Sequence, residues 1–295
     1  MDWWKGLKGK IKFNEPLKTH TTFKIGGPAR FFIQPADIED LRLLLILLEK
    51  HKIPFFIIGA GSNLLVSDRG VNGAVIHLGA NYFKRITFKG ELVEAGGGLL
   101  LSRMLSLFVR YGLAGAEFLT GIPGTLAGAI IMNAGQGERG ASISELVEKV
   151  TVMDYNGNVM ELSKDDLRFG YRDSDLGELI VLGAKLRLVR KGKKEIKSKI
   201  REYLTYRILS QDISLPSAGC VFKNPPGYSA AKLIELCGLK GRSIGGAAIS
   251  LKHANFIVNL NRAKAEDVLK LMDLIITEVR HRFNVVLEPE IKIWH

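Results

Sequence analysis

Glycine is concentrated in three loops of the first half of this chain: IIGAGSNLLV (Ile57–Val66), EAGGG (Glu94–Gly98) and TGIPGTLAGAIIMNAG (Thr120–Gly135). Glycine admits positive φ and lets backbone approach a ligand closely, so successive N–H groups in such loops can converge on a phosphate; tight turns without a ligand would have the same composition. The first loop follows a buried strand, and the third opens a helix of small residues whose N-terminus attracts an anion. Two such loops point to a diphosphate. Neither is a G-x-G-x-x-G or a G-x-x-x-x-G-K-[ST] sequence, so neither a Rossmann dinucleotide site nor a P-loop follows.

Around the loops, helix and strand patterns alternate in an α+β or α/β layout. Helices are predicted over Ile38–His51, Leu99–Tyr111, Thr125–Met132, Ala230–Cys237 and Ala265–Arg282. Strands are predicted over Pro54–Ile58, Gly73–Leu78, Leu179–Val189, Ala254–Asn259 and Val285–Trp294, with two more around a glycine turn in Arg85–Gly96. VEKVTVMDYNGNVMELS reads as a hairpin joined at Asn156-Gly157. The lysine-rich run Val189–Arg207 reads as a linker plus a helix with a solvated face, which places a domain boundary near Gly192.

The length of 295 residues fits two domains, and the longest apolar run, Leu43–Leu48, is far too short to span a membrane. The N-terminal segment shows no signal peptide. Two cysteines, Cys220 and Cys237, and no Cys/His cluster at metal-ligand spacing point to a reducing cytoplasm without structural zinc. The net charge of +12, from 42 Lys plus Arg against 30 Asp plus Glu, favours polyanionic partners. No nucleic-acid motif is present and the aromatics do not interleave with the basic run, so phosphorylated small molecules are the better class.

KIGGPAR (Lys24–Arg30), GAGSNLLV (Gly59–Val66), GIPGTLAGAIIMNAG (Gly121–Gly135), RFGYRDS (Arg168–Ser174), SAGCVFKNP (Ser217–Pro225), KHANFIVN (Lys252–Asn259) and LEPEIKI (Leu287–Ile293) follow one another in an order that resembles the UDP-N-acetylenolpyruvoylglucosamine reductase family. The resemblance runs from about residue 16 to the end. It implies an α+β chain with an FAD-binding domain of the vanillyl-alcohol-oxidase (PCMH) type over 16–190, then a smaller α+β substrate-binding domain over 200–295. By the same resemblance Gly59, Ala60, Gly61, Ser62, Asn63 and Leu64, with Gly121, Ile122, Pro123, Gly124, Thr125 and Gly128, line the FAD diphosphate, while Asn133, Ala134 and Gly135 lie near the cofactor. No histidine occurs in the three glycine loops, so the FAD is expected to be noncovalent.

The family's reaction reduces the enol ether of a UDP-sugar in peptidoglycan precursor synthesis, with NADPH as reductant and hydride delivered from the flavin to the vinyl carbon. Negative charge then develops beside the substrate carboxylate and must be stabilised and protonated. Arg172 matches the arginine of the family motif, and its planar fork suits a carboxylate; on its own, an arginine beside Asp173 and Asp175 reads as a surface ion pair. Glu290 matches the family's glutamate, which must share a proton when it acts; on its own it reads as a strand-end carboxylate. Cys220 stands where serine is usual as proton donor. A thiol is a far stronger acid than an alcohol, so it serves the same role while becoming open to oxidation. Cys237 reads as a small core residue.

Tyr171, Arg207, Asn224 and His253 are assigned to the substrate by the same matching, although Tyr171 reads equally as a packing residue and His253 as an ordinary hydrogen-bonded histidine. Asp173–Gly192 holds one strand and short turns, so the chain looks like the short form that lacks an added tyrosine-bearing loop. The alternatives are an FAD-dependent oxidase or dehydrogenase of the same superfamily acting on another hydroxy acid or sugar, and a basic nucleic-acid-binding protein. The expected partners are the UDP-sugar and NADPH, with no nucleic acid and no membrane, for a cytoplasmic monomer.

Overall fold

The structure is a computed structural model that describes residues 3–135 and 140–295. The chain divides into two compact units, one drawn from the chain up to Phe13, Phe31–Ala60 and Gly73–Thr205, the other from Asn14–Arg30, Gly61–Asn72 and Tyr206–His295.

The first unit is built on two sheets. Lys10–Pro16, Pro28–Gln34, Val71–His77 and Phe55–Ile58 lie side by side in that order, the last two parallel. Helix α1 (Ile38–Lys50) presents Leu41, Leu44, Leu45 and Leu48, at i, i+3, i+4 and i+7, to a core shared with Phe31, Ile33, Ala74 and Ile76. Asp37 caps the helix by accepting from the Asp40 N–H. Asp40 itself is buried, and its carboxylate accepts from the backbone N–H groups of Lys8, Gly9 and Ala36 at 2.7–2.8 Å, which ties the N-terminal segment to the start of α1. Asp40→Ala is therefore expected to lower stability by about 2–4 kcal/mol, because three amides lose a charged acceptor; urea unfolding measures it.

The second sheet is antiparallel, in the order Val159–Ser163, Val147–Met153, Ile180–Arg187, Leu92–Gly96, Ile86–Lys89. Helices α2 (Leu101–Tyr111) and α3 (Leu126–Ile131) share a core with it through Met104, Phe108, Leu126, Ile130, Val93, Val150 and Leu186. The hairpin forms as predicted, but its closing pair is Met153↔Val159, so the loop has five residues rather than two. The cause is Asp154, whose carboxylate accepts from the N–H groups of Asn156 and Asn158 and from Asn158 Nδ2 at 2.8–2.9 Å and organises the wider turn. Helix α4 (Lys193–Ser210) begins just after Gly192 and exposes most of its charged residues.

In the second unit, Ser217–Cys220, Phe256–Asn259, Ala247–Ile249 and Ser243–Ile244 form an antiparallel sheet in that order. Helices α5 (Ala230–Leu236) and α6 (Ala265–Phe283) share its core through Leu233, Ile234, Val268, Leu271, Met272, Ile275 and Val279. Phe23, Ile25 and Leu65, from the first quarter of the chain, belong to the same core. The expected strand over Val285–Trp294 forms only at Lys292–Trp294, parallel to Leu64–Val66. The segment before it makes a single bridge, Phe222↔Pro289, at a non-hydrogen-bonded position that a proline can occupy without loss of a bond to its partner.

Among the described residues no helix is long and apolar enough to cross a membrane, and no group of three or more His, Cys, Asp or Glu is placed to hold a metal ion.

Candidate active site

In the first unit the second and third glycine loops meet, and Gly59 of the first lies against them. Leu126 N–H donates to Leu99 O and Ala127 N–H to Gly97 O, both at 2.9 Å, and Leu101 N–H returns a bond to Gly124 O, also at 2.9 Å. These bonds join the second loop to the third. The first loop arrives at the same point, for a Cβ built on Gly59 would stand 2.7 Å from Thr125 Oγ1. Only glycine admits that approach.

Thr125 is the N-cap of α3, its hydroxyl accepting from Gly128 N–H. The first three helix amides, Leu126, Ala127 and Gly128, thus bond to protein groups, which corrects the expectation that the N-terminus of this helix is open to an anion. Thr120, at the head of the third loop, has a buried hydroxyl without a partner among the described residues. Glycine turns brought together at the start of α3, and an unsatisfied buried hydroxyl at the head of the third loop, fit a polar cofactor such as FAD.

Arg172 sits at the tip of a two-residue hairpin, with pairs Phe169↔Ser174 and Gly170↔Asp173. Its φ is +55°, a conformation that usually calls for Gly or Asn. The hairpin is fastened to the end of α3 on both strands: Asn133 Nδ2 donates to Gly170 O at 2.9 Å and Ser174 Oγ to Ile131 O at 2.8 Å. Asn133 is left-handed (φ +41°) just past the helix, a position that Asn tolerates, and its Oδ1 accepts from Ser144 N–H. Arg172 Nη2 donates to Gly135 O at 3.0 Å, and its guanidinium lies over the Tyr171 ring at 5.6 Å. Arg172, Tyr171 and Asn133–Gly135, distant in sequence, are thereby gathered in one place. Ile122 and Pro123 lie between Gly121 and Gly124 in the third loop.

In the second unit Cys220 ends the Ser217–Cys220 strand. Its pairing with Phe256–Asn259 runs Ser217↔Val258, then Cys220↔Phe256, so one extra residue is accommodated in a bulge, where Gly219 has φ +78°. Immediately after Cys220, Val221 O accepts from Glu290 N–H at 2.7 Å, and Lys223 N–H donates to Glu288 O at 2.9 Å. Cys220 and Glu290 are thus carried on adjoining backbone segments. Asn63, continuing from Gly61 and Ser62, donates through Nδ2 to Glu290 O at 3.1 Å, while Lys292 N–H donates to Asn63 O at 2.9 Å. The glycine loop and the glutamate segment are locked together, next to the parallel pairing of Leu64 with Lys292.

The other substrate candidates are also in this unit. Asn224 Oδ1 accepts from Ala230 N–H at 3.0 Å and so organises the start of α5. Arg207 Nη1 donates to Gln211 Oε1 at 3.1 Å. His253 lies in a turn held by Ser250, whose hydroxyl accepts from the N–H groups of Lys252 and His253 and donates to Asp212 Oδ2. Its Nδ1 is buried and without a partner among the described residues, and burial, with Lys240 adding to it, holds the imidazole pKa below its ordinary value. Cys237 packs against the core, and burial pushes its thiol pKa up, in keeping with a structural role.

Three residues outside the candidates read from the sequence stand out in the structure. Thr120 is one; Thr22, whose hydroxyl donates to Ser217 O at 2.7 Å, is another. The third is Asn255, within KHANFIVN, whose amide holds both backbone groups of Phe222. The readable signal for Asn255 was an asparagine inside an apolar strand run, since a buried amide there must find partners.

Residues 29–163 match an FAD binding domain, and residues 211–294 match the C-terminal domain of UDP-N-acetylenolpyruvoylglucosamine reductase. The cholesterol oxidase fold of Brevibacterium sterolicum, in a variant structure, superposes with a TM-score of 0.50 over 62% of this chain and 38% of the other at 15% identity, a likeness of fold alone. The fold is therefore that of a flavoprotein, α+β, with an FAD-binding domain of the PCMH type and a smaller α+β substrate-binding domain. The chain is 46% identical over 288 residues to the UDP-N-acetylenolpyruvoylglucosamine reductase of Caldanaerobacter subterraneus subsp. tengcongensis, covering 97% of this chain and 94% of that one. The crystal structure of the reductase from Thermus caldophilus superposes with a TM-score of 0.83 at 37% identity over 98% of this chain and all of the other. The chain belongs to the UDP-N-acetylenolpyruvoylglucosamine reductase family.

Proposed function

We propose that this chain reduces UDP-N-acetylglucosamine enolpyruvate to UDP-N-acetylmuramate in peptidoglycan precursor synthesis, with NADPH as reductant, and that Arg172, Glu290 and Cys220 carry the reaction at the substrate. FAD, when bound, would supply the two-electron carrier between NADPH and the vinyl carbon. Gly59–Leu64, Gly121–Thr125 and Gly128 would hold its diphosphate, with Asn133–Gly135 nearby. Arg172 binds the substrate carboxylate through its guanidinium fork. Glu290 shares a proton with the carboxylate as negative charge develops there. Cys220 Sγ–H gives its proton to the carbon beside that carboxylate, which completes the addition of one hydride and one proton across the double bond.

The observation that best supports these roles is the bond from Glu290 N–H to Val221 O, which keeps the glutamate and the thiol on neighbouring segments. Arg207, Asn224, His253 and Tyr171 contact the UDP-sugar in this reading. Residues 16–190 serve the flavin and 200–295 the substrate, in a cytoplasmic monomer.

The test is the visible spectrum of the FAD-loaded chain under anaerobic conditions. The flavin band is expected to bleach with NADPH and return with the enolpyruvyl UDP-sugar; a band that bleaches and does not return would exclude this substrate. Gly59→Ala is expected to raise the Kd for FAD about tenfold, since its Cβ must push Thr125 aside. Titration of free-flavin fluorescence measures this, and an unchanged Kd would take the first loop out of the cofactor site.

A further inference from the structure

We infer that Asn255 is a positioning residue for Cys220 and Glu290, an inference that rests on the functional reading above. Asn255 is 3% exposed, inside the second unit. Its Oδ1 accepts from Phe222 N–H at 3.0 Å and its Nδ2 donates to Phe222 O at 2.7 Å, while its own backbone oxygen accepts from Val221 N–H at 2.9 Å. One residue therefore holds two consecutive backbone positions directly after Cys220.

The other side of the same segment carries Glu290, through Val221 O. There Phe222 and Pro289 face each other as a non-hydrogen-bonded pair, flanked by the bonds from Glu290 N–H to Val221 O and from Lys223 N–H to Glu288 O. Both backbone groups of Phe222 therefore face away from that segment, and the Asn255 amide meets them there, its Nδ2 donating to Phe222 O and its Oδ1 accepting from Phe222 N–H. A carboxamide suits this task because donor and acceptor lie side by side and complement a peptide's own pair. Aspartate would set a second acceptor against Phe222 O, and alanine would leave both Phe222 groups unpaired where water is excluded. A shift in this segment moves the proton donor and the glutamate together, and a misplacement of about 1 Å is enough to cost roughly 10²-fold in rate.

The experiment separates the half-reactions of the FAD-loaded full chain by anaerobic stopped flow. In Asn255→Ala and Asn255→Asp, bleaching by NADPH should stay within about twofold of wild type, while return of the band with the enolpyruvyl UDP-sugar slows about 10- to 100-fold. In Asn255→Asp the rate of return should rise as pH falls, because a protonated carboxyl regains a donor toward Phe222 O; Asn255→Ala should show no such rise. A lowered Tm with an unchanged return rate would overturn the inference, as would equal slowing of both half-reactions or loss of flavin, which mark a packing role. Cys220→Ala separates the two levels. If it returns the band at the wild-type rate, the reading of Cys220 fails and this inference with it; if it is slow while the Asn255 variants are fast, only the inference fails.

Discussion

Cys220→Ala is expected to lower turnover by about 10²- to 10⁴-fold, the usual share of a general acid, while Cys220→Ser stays within about tenfold of wild type. The reasoning is chemical. Hydride addition leaves a carbon centre that must take a proton, and either a thiol or a hydroxyl on the same Cβ can give one, whereas a methyl group cannot. The strand that carries Cys220 is shaped by its backbone, through the bulge at Gly219 and the pairing Cys220↔Phe256. Neither substitution should therefore change FAD affinity or bleaching by NADPH, and the loss should fall entirely on the return of the flavin band. Full activity in the alanine variant would remove the role.

At Arg172 stability and activity should move in opposite directions. The residue has φ +55° at the hairpin tip, a conformation that costs a non-glycine residue on the order of 1 kcal/mol. The surrounding bonds, from Asn133 to Gly170 and from Ser174 to Ile131, hold the turn against that cost. Arg172→Gly should relieve it and raise unfolding stability by up to about 1 kcal/mol, less what is lost with the bond to Gly135 and the contact with Tyr171. The same change removes the cation proposed to pair with the substrate carboxylate, so kcat/KM should fall about 10²- to 10³-fold, the range found when one charge-stabilising donor is lost. Thermal unfolding and steady-state kinetics on the same preparation decide it. A variant both more stable and fully active would show that the strained turn serves no chemistry.

Legibility in the sequence followed the range of the interactions. Helices α1, α2, α5 and α6 were readable because a 3.6-residue period of leucine, isoleucine and valine reports a buried face within one segment. The hairpin was readable from Asn156-Gly157, though its loop length was not, since that depends on how Asp154 folds back on the turn. The strands Lys10–Pro16 and Pro28–Gln34 carried no expectation. The first alternates weakly and keeps most residues exposed, so its place in the sheet comes from neighbours far along the chain. The grouping of Asn14–Arg30 and Gly61–Asn72 with the C-terminal residues was equally invisible, because a parallel pairing between Leu64–Val66 and Lys292–Trp294 spans more than two hundred residues and leaves no local period.

What the sequence by itself determined was chemistry and local form: which loops must be glycine, which side chains can donate a proton or grip a carboxylate, and the family in which such motifs occur in this order. Only the tertiary structure decided how those groups are held. It spent the amides of α3 on Leu99, Gly97 and Thr125, brought Glu290 beside the segment that follows Cys220, fastened the Arg172 turn to the end of α3, and placed Asn255 on both backbone groups of Phe222. The physical reason is that hydrogen bonds of buried backbone and amide groups must be satisfied wherever a partner lies in space, and a partner in space is not marked by nearness in sequence.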